Sequence, residues 1–147
     1  MIIGAAPLNG LIAQILVRAG TEPERAQACA DHLVMANLKG HDSHGVGMAP
    51  SYVAAIRAGK LHPNARAKVI SDRGAVIVVD GQFGLGAPTA REAVALGIAR
   101  AKQIGVAAVA LRNACHIGRI GTYGEQCAAA DLISMHHVNV VGAPPAV

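Results

Sequence analysis

At 147 residues the chain is about one domain long, and with 52% hydrophobic and 15% charged residues it has the composition of a packed core, not of a disordered segment. The formal charge of +4 comes from Lys and Arg scattered singly, often beside acids as in "EPER" and "AREA", with one Phe and two Tyr, which argues against nucleic-acid binding and suits a small anionic substrate. No run approaches the roughly 18 apolar residues of a membrane span, no signal-peptide pattern opens the chain, and Cys29, Cys115 and Cys127 form no CxxC pair, so a cytoplasmic location is expected.

In chain order, "LNGLIAQILVRAG" repeats apolar residues at Leu8, Leu11, Ile12, Ile15 and Leu16, a helical stripe that ends at Gly20. "TEPE" reads as a capping box in which Thr21 accepts from the Glu24 amide and Glu24 reaches back, with Pro23 in the first turn. The helix it opens runs to about Leu38, with Gly40 as its stop. After "GHDSHGVG", the stretch "MAPSYVAAIRAGKL" predicts a third helix with Tyr52, Val53 and Ile56 among its apolar positions, closed by Gly59. From Arg66 the period changes: "AKVISD" and "AVIVVD" are short β-branched runs about a turn at Arg73 and Gly74. "PTAREAVALGIARAKQIG" follows as a helix, "VAAVALR" as a buried strand, "GTYGEQCAAAD" as a helix and "LISMHHVNVV" as a last strand. The expected architecture is therefore an α/β (α+β) fold, with a helical region over 1–65 and the first part of a mixed sheet domain over 66–147. The edge of Met135 to Val141 is then open and calls for a partner, most simply a second copy of the chain.

Two loops carry candidate chemistry. In "GHDSHGVG", Ser43 or Asp42 is a plausible cap for the third helix, which leaves His44 an ordinary surface residue. Alternatively His44 donates or accepts a proton, its ordinary pKa near 6.5 suiting transfer at neutral pH, and Ser43 helps to hold a carbonyl. Ser43 is the weaker candidate for a nucleophile, because neighbouring side chains diverge and no GxSxG elbow surrounds it. In "NACHIGRIGTY", His116 follows a strand directly, at the carboxyl end where ligands of α/β sheets gather, and Arg119 can offer a guanidinium to a carboxylate. A plain strand-end histidine and a glycine turn are the alternative. "DGQFGLGAP" has the glycine order GxxGxG, the reverse of a dinucleotide turn, and reads first as a tight strand-to-helix connection. His136 and His137 face opposite sides of a strand and no HxxxH or HExxH occurs, so no metal site is expected.

Together "GHDSHGVGMAPSYV", "LHPNA", "VVDGQFGLG", "ALRNACHIGRIGTYGEQCA" and "LISMHHVNV" resemble the beginning of the malate/L-lactate dehydrogenase family of non-Rossmann type, which includes ureidoglycolate, sulfolactate and diketogulonate oxidoreductases. The resemblance implies hydride transfer between NAD or NADP and C2 of a 2-hydroxy or 2-oxo acid, and a homodimer. It places His44, His116 and Ser43 in catalysis, Arg119 and Tyr52 on the substrate, and His116 and Gly118 beside the cofactor. Met48 stands where many members carry an arginine for the substrate carboxylate. Members are also much longer, so the chain is expected to be inactive alone. Two rival expectations are a non-catalytic α/β assembly module and a small Rossmann-type nucleotide-binding domain built on a parallel sheet around Gly81 to Gly86.

Overall fold

A computed structural model describes residues 3–139. The front of the chain is helical: α1 (Ala5–Arg18), α2 (Pro23–Leu38) and α3 (Ala49–Arg57), with two 3-10 turns, Asp42–His44 and Val46–Met48, between the last two. The back runs β1 (Lys68–Arg73), β2 (Val76–Asp80), α4 (Gly86–Ile104), β3 (Ala108–Arg112) and α5 (Gly121–Ala128). The sheet has the order β1-β2-β3; β1 lies antiparallel to β2 and β3 parallel to it. This mixed sheet is not the parallel sheet that a small Rossmann domain requires.

The front core forms where α1, α2 and α3 interlock. Ile12 and Leu16 of α1 meet Ala26, Cys29, Ala30 and Leu33 of α2, and Tyr52 closes the cluster from α3. Leu11 and Ile15 of the expected α1 stripe stay on the outer side, since the buried arc is completed by Ala13 instead. Leu85, from beyond the strands, packs into this same cluster, with Cys115 against it. A second cluster under the sheet joins Ile77 and Val79 of β2 to Ala93 of α4, with Leu96, Val109 and Leu111 at its margin.

Several local expectations change. The capping box does not form: Thr21 Oγ1 is buried without a partner, and the amide of Glu22 donates to Asn64 Oδ1 at 2.7 Å while Asn64 Nδ2 donates to the Gly20 carbonyl at 3.0 Å. A side chain from the "LHPNA" loop thus replaces the local cap. Neither Asp42 nor Ser43 caps α3, which starts only after the second 3-10 turn, with Met48 before it. The strand β3 is alternately half-buried and exposed, not buried throughout, because α4 covers one face only. No strand forms over 132–139, where Ile133 and Met135 are exposed; the remainder of the expected strand lies outside the described residues. The open edges of the sheet are therefore β1 and β3, and Met135 onwards does not form one among the described residues.

One buried ion pair fastens the helical front to the sheet. Arg25 of α2 is 2% exposed; its Nη1 meets Glu92 Oε1 of α4 at 2.5 Å, its Nη2 donates to Thr89 Oγ1 at 3.2 Å and its Nε to the Pro63 carbonyl at 3.2 Å. The second oxygen of Glu92 accepts the Ala67 amide at 2.7 Å, so a single carboxylate serves α2 and the approach to β1. Glu92→Ala, which strands the guanidinium in the interior, is expected to cost about 3 kcal/mol of unfolding free energy, the lower end for a broken buried pair because the Glu92 side chain is 32% exposed. Urea unfolding followed by circular dichroism checks this, and a loss under about 1 kcal/mol would place Arg25 among ordinary surface pairs.

Candidate active site

The site is assembled from two irregular segments that the glycines allow to approach each other. The turn carrying His44 is fastened to α2 by Asn37, whose Oδ1 accepts the Val46 amide at 2.8 Å and whose Nδ2 donates to Asp42 Oδ1 at 2.5 Å. A Cβ at Gly45 would overlap the Asn37 side chain, so this staple needs glycine there. The loop carrying His116 leaves β3 and crosses the amino end of α4. Its path is set by backbone pairing with the glycine-rich turn: Phe83 N to Asn113 O at 2.6 Å and Cys115 N to Gly84 O at 3.3 Å. At Gly86 a Cβ would run into the carbonyls of Cys115 and His116.

These two segments bring the imidazoles of His44 and His116 together, with ring centroids 5.1 Å apart and planes inclined by 31°. Both rings are half-buried. Ser43 Oγ lies 2.9 Å from His44 Nδ1, and Tyr52 Oη lies 2.7 Å from His116 Nδ1. Each Nδ1 is thereby engaged, while neither Nε2 makes a hydrogen bond among the described residues. The side chains of Ser43 and His44 do not diverge as expected, because the tight 3-10 turn folds the hydroxyl back onto the ring. No carboxylate bonds the His44 ring, so this contact is not a catalytic triad.

Burial pushes the pKa of His116 below the ordinary histidine value, and the nearby positive charge of a protonated His44 pushes it the same way. Burial holds the Tyr52 phenol protonated, far above its ordinary value. The Tyr52 hydroxyl serves either form of the ring: it donates to Nδ1 when the ring hydrogen is on Nε2, and it accepts from Nδ1–H when the ring is charged or has given up its Nε2 hydrogen.

The other residues singled out in the sequence make contacts within the chain. Tyr52, expected on the substrate, is bonded to His116. Arg119 is not offered to solvent: Nη2 pairs with Glu125 Oε1 at 2.9 Å, and Nε and Nη1 are buried without partners. Lys39 Nζ completes that cluster 2.6 Å from the same oxygen, and together the two cations hold the Glu125 carboxyl below its ordinary range. Gly118, expected beside a cofactor, has φ +72° and turns its α carbon onto the His32 ring. Sequence reasoning missed His32 and Asn37. The available signal was spacing: Arg25, Cys29, His32 and Ala36 form one buried stripe of α2, and a polar residue on a buried stripe is bonded to something.

A Cβ at Gly86 would meet the Cys115 and His116 carbonyls, and one at Gly118 the His32 ring, so both glycines serve close packing within the chain. Among the described residues no group of three or more His, Cys, Asp or Glu side chains could hold a metal ion, and no helix is long and apolar enough to cross a membrane.

A family profile described as malate/L-lactate dehydrogenase matches residues 3–147. The chain belongs to this family. It is 50% identical over 140 residues to hydroxycarboxylate dehydrogenase B of Escherichia coli K12, covering 95% of this chain and 39% of that protein. It is 39% identical over 129 residues to L-sulfolactate dehydrogenase of Methanocaldococcus jannaschii, covering 88% of this chain and 38% of that one. The solved sulfolactate dehydrogenase structure from that organism superposes with a TM-score of 0.85 at 38% identity, over 89% of this chain and 38% of that chain. The chain thus spans about two-fifths of the length of the curated relatives it matches.

The His44 and His116 charges oppose each other, so replacing His44 by Ala is expected to raise the His116 titration midpoint toward the ordinary value while burial keeps it below. Histidine ring signals followed by NMR across the acid range provide the measurement; an unmoved or lowered midpoint contradicts the pairing.

Proposed function

We propose that this chain supplies the acid/base pair of an oxidoreductase that interconverts 2-hydroxy and 2-oxo acids with NAD or NADP. The observation that supports the reading is the 5.1 Å approach of His44 and His116, each with Nδ1 occupied and Nε2 available. Membership of the dehydrogenase family, and relatives named for hydroxycarboxylate, sulfolactate, malate and lactate, favour the same class of substrate.

Reduction of a 2-oxo acid leaves negative charge on the C2 oxygen, and an imidazolium Nε2–H within hydrogen-bond reach neutralises it; in the oxidation direction the neutral ring takes that proton back. Burial, and then the charge of the neighbouring His44, disfavour the charged form of the His116 ring, which eases loss of its proton to substrate. Ser43 and Tyr52 fix the ring orientations through the two Nδ1 atoms, so neither ring can turn its engaged nitrogen to substrate without breaking a hydrogen bond. Met48 carries no charge, whereas Arg119, paired with Glu125 through Nη2, keeps Nε and Nη1 without partners and stays the candidate for the substrate carboxylate.

Steady-state assays of the protein with NADH or NADPH and a panel of 2-oxo acids test the proposal. His44→Ala and His116→Ala are each expected to lower kcat by about 10²- to 10⁴-fold. Loss of less than tenfold in both variants would remove the proton-transfer role.

A second reading is a non-catalytic assembly module, in which Gly86 and Gly118 serve packing alone. Saturable binding of NADH or NADPH, measured by calorimetry, decides against it. Self-association belongs to the proposal as well: Ile133, Met135 and Val138 are exposed apolar residues that a second copy would cover. Sedimentation equilibrium is expected to show a dimer, and a monomer at all concentrations dismisses it. The free thiols of Cys29, Cys115 and Cys127 agree with a reducing cytoplasm.

A further inference from the structure

Behind the His44 and His116 pair lies a third imidazole that none of the roles above uses. His32, on α2, is 3% exposed and stacks on Tyr123 with ring centroids 6.0 Å apart. Its Nε2 accepts the Arg119 amide at 2.9 Å, and a Cβ at Gly118 would overlap that same nitrogen. Its Nδ1 is buried with no partner.

We propose that His32 is a positioning residue for His116, its Nε2 acting as the fixed acceptor on which the Gly118–Arg119 end of the catalytic loop is seated. The inference rests on the proton-transfer reading of His116. Cys115, just before the catalytic ring, is bonded to Gly84, and just after it Ile117 accepts from the Tyr123 hydroxyl and Arg119 donates to His32. The ring is thus suspended between anchors at Cys115 on one side and Ile117 and Arg119 on the other, two and four residues along. The left-handed Gly118 is the bend that carries the chain down onto α2.

A proton-relay role for His32 does not fit this geometry. A ring that accepts at Nε2 carries its hydrogen on Nδ1, and that nitrogen has no partner to pass a proton onward. Charging the ring would place an N–H against the Arg119 N–H and break the anchor. The surroundings oppose charging: burial first, then the positive charges of His116, Arg91, Arg119 and His44, push its pKa down to about 4. Tyr123 is neutral as well, its phenol held protonated by burial.

The test uses histidine-labelled protein and two substitutions. In the unmodified protein, nitrogen NMR is expected to show His32 neutral with its hydrogen on Nδ1 from about pH 5 to about pH 9. A ring with its hydrogen on Nε2, or one that titrates in the ordinary histidine range, overturns the proposal. His32→Gln can put an amide oxygen close to where Nε2 lay, whereas the shorter His32→Asn cannot reach the Arg119 amide. Gln is expected to preserve the His116 titration midpoint. Asn is expected to shift it and to lower kcat by about 10²-fold with the KM for NADH or NADPH unchanged. Equal behaviour of the two variants, whether both intact or both impaired, contradicts it. Should the 147-residue chain show no turnover, as expected if it is inactive alone, the ring signals of His32 and His116 still decide the positioning role.

Discussion

The structure depends on how the loop from Asn113 to Arg119 is seated. It has no helix or strand of its own, so its shape comes from what it lies against: the glycine-rich turn on one side, through the pairs to Phe83 and Gly84, and the His32 ring on the other. Backbone-to-backbone approach of that kind leaves no room for a side chain at Gly84 and Gly86, and at Gly118 the His32 ring fills the same space. Glycines that a sequence reader associates with phosphate binding here do a different job. They let the chain fold onto itself closely enough to put one histidine beside another.

That contact requires the helical front and the sheet to hold a fixed relation, and Arg25 supplies it. A guanidinium buried on α2 demands acceptors, and these come from α4, the Thr89 hydroxyl and the loop before β1. The arrangement costs desolvation, and its return is less net stability than alignment: few positions of α4 relative to α2 satisfy all three acceptors together. The Asn37 staple does the same for the His44 turn on a smaller scale, and the Lys39, Glu125 and Arg119 cluster ties the end of α2 to α5.

Helix α2 therefore touches every part of the site. Along its length Arg25 holds α4, His32 holds the His116 loop and Asn37 holds the His44 turn. A helix serves this purpose because its rise fixes the distance between such groups, at about 1.5 Å per residue. The chemistry stands on the irregular segments and the rigidity on the element beneath them. His32 is buried and the pair above it half-exposed, and burial lowers the pKa of both His32 and His116.

Much of the architecture was legible in the sequence. The helical periods, the stops at Gly40, Gly59 and Gly105, the hairpin at Gly74 and the mixed α/β order all rest on local rules that act within a few residues. His44, His116 and Ser43 were recognisable as residues of chemical interest from their glycine-rich settings and from the family words around them. Their meeting was not, because 72 positions separate the two histidines and only the packing of loop against turn closes that gap. Elsewhere a tertiary contact replaced a local one, as Asn64 took over from the Thr21 capping box, and the run after α5 formed no strand among the described residues. Sequence by itself determined which segments fold and which side chains can move a proton, since those follow from backbone preference and side-chain chemistry. Only the tertiary structure decided which of those side chains face one another, which nitrogens are engaged and which glycines are filled, since these depend on distances between residues far apart along the chain.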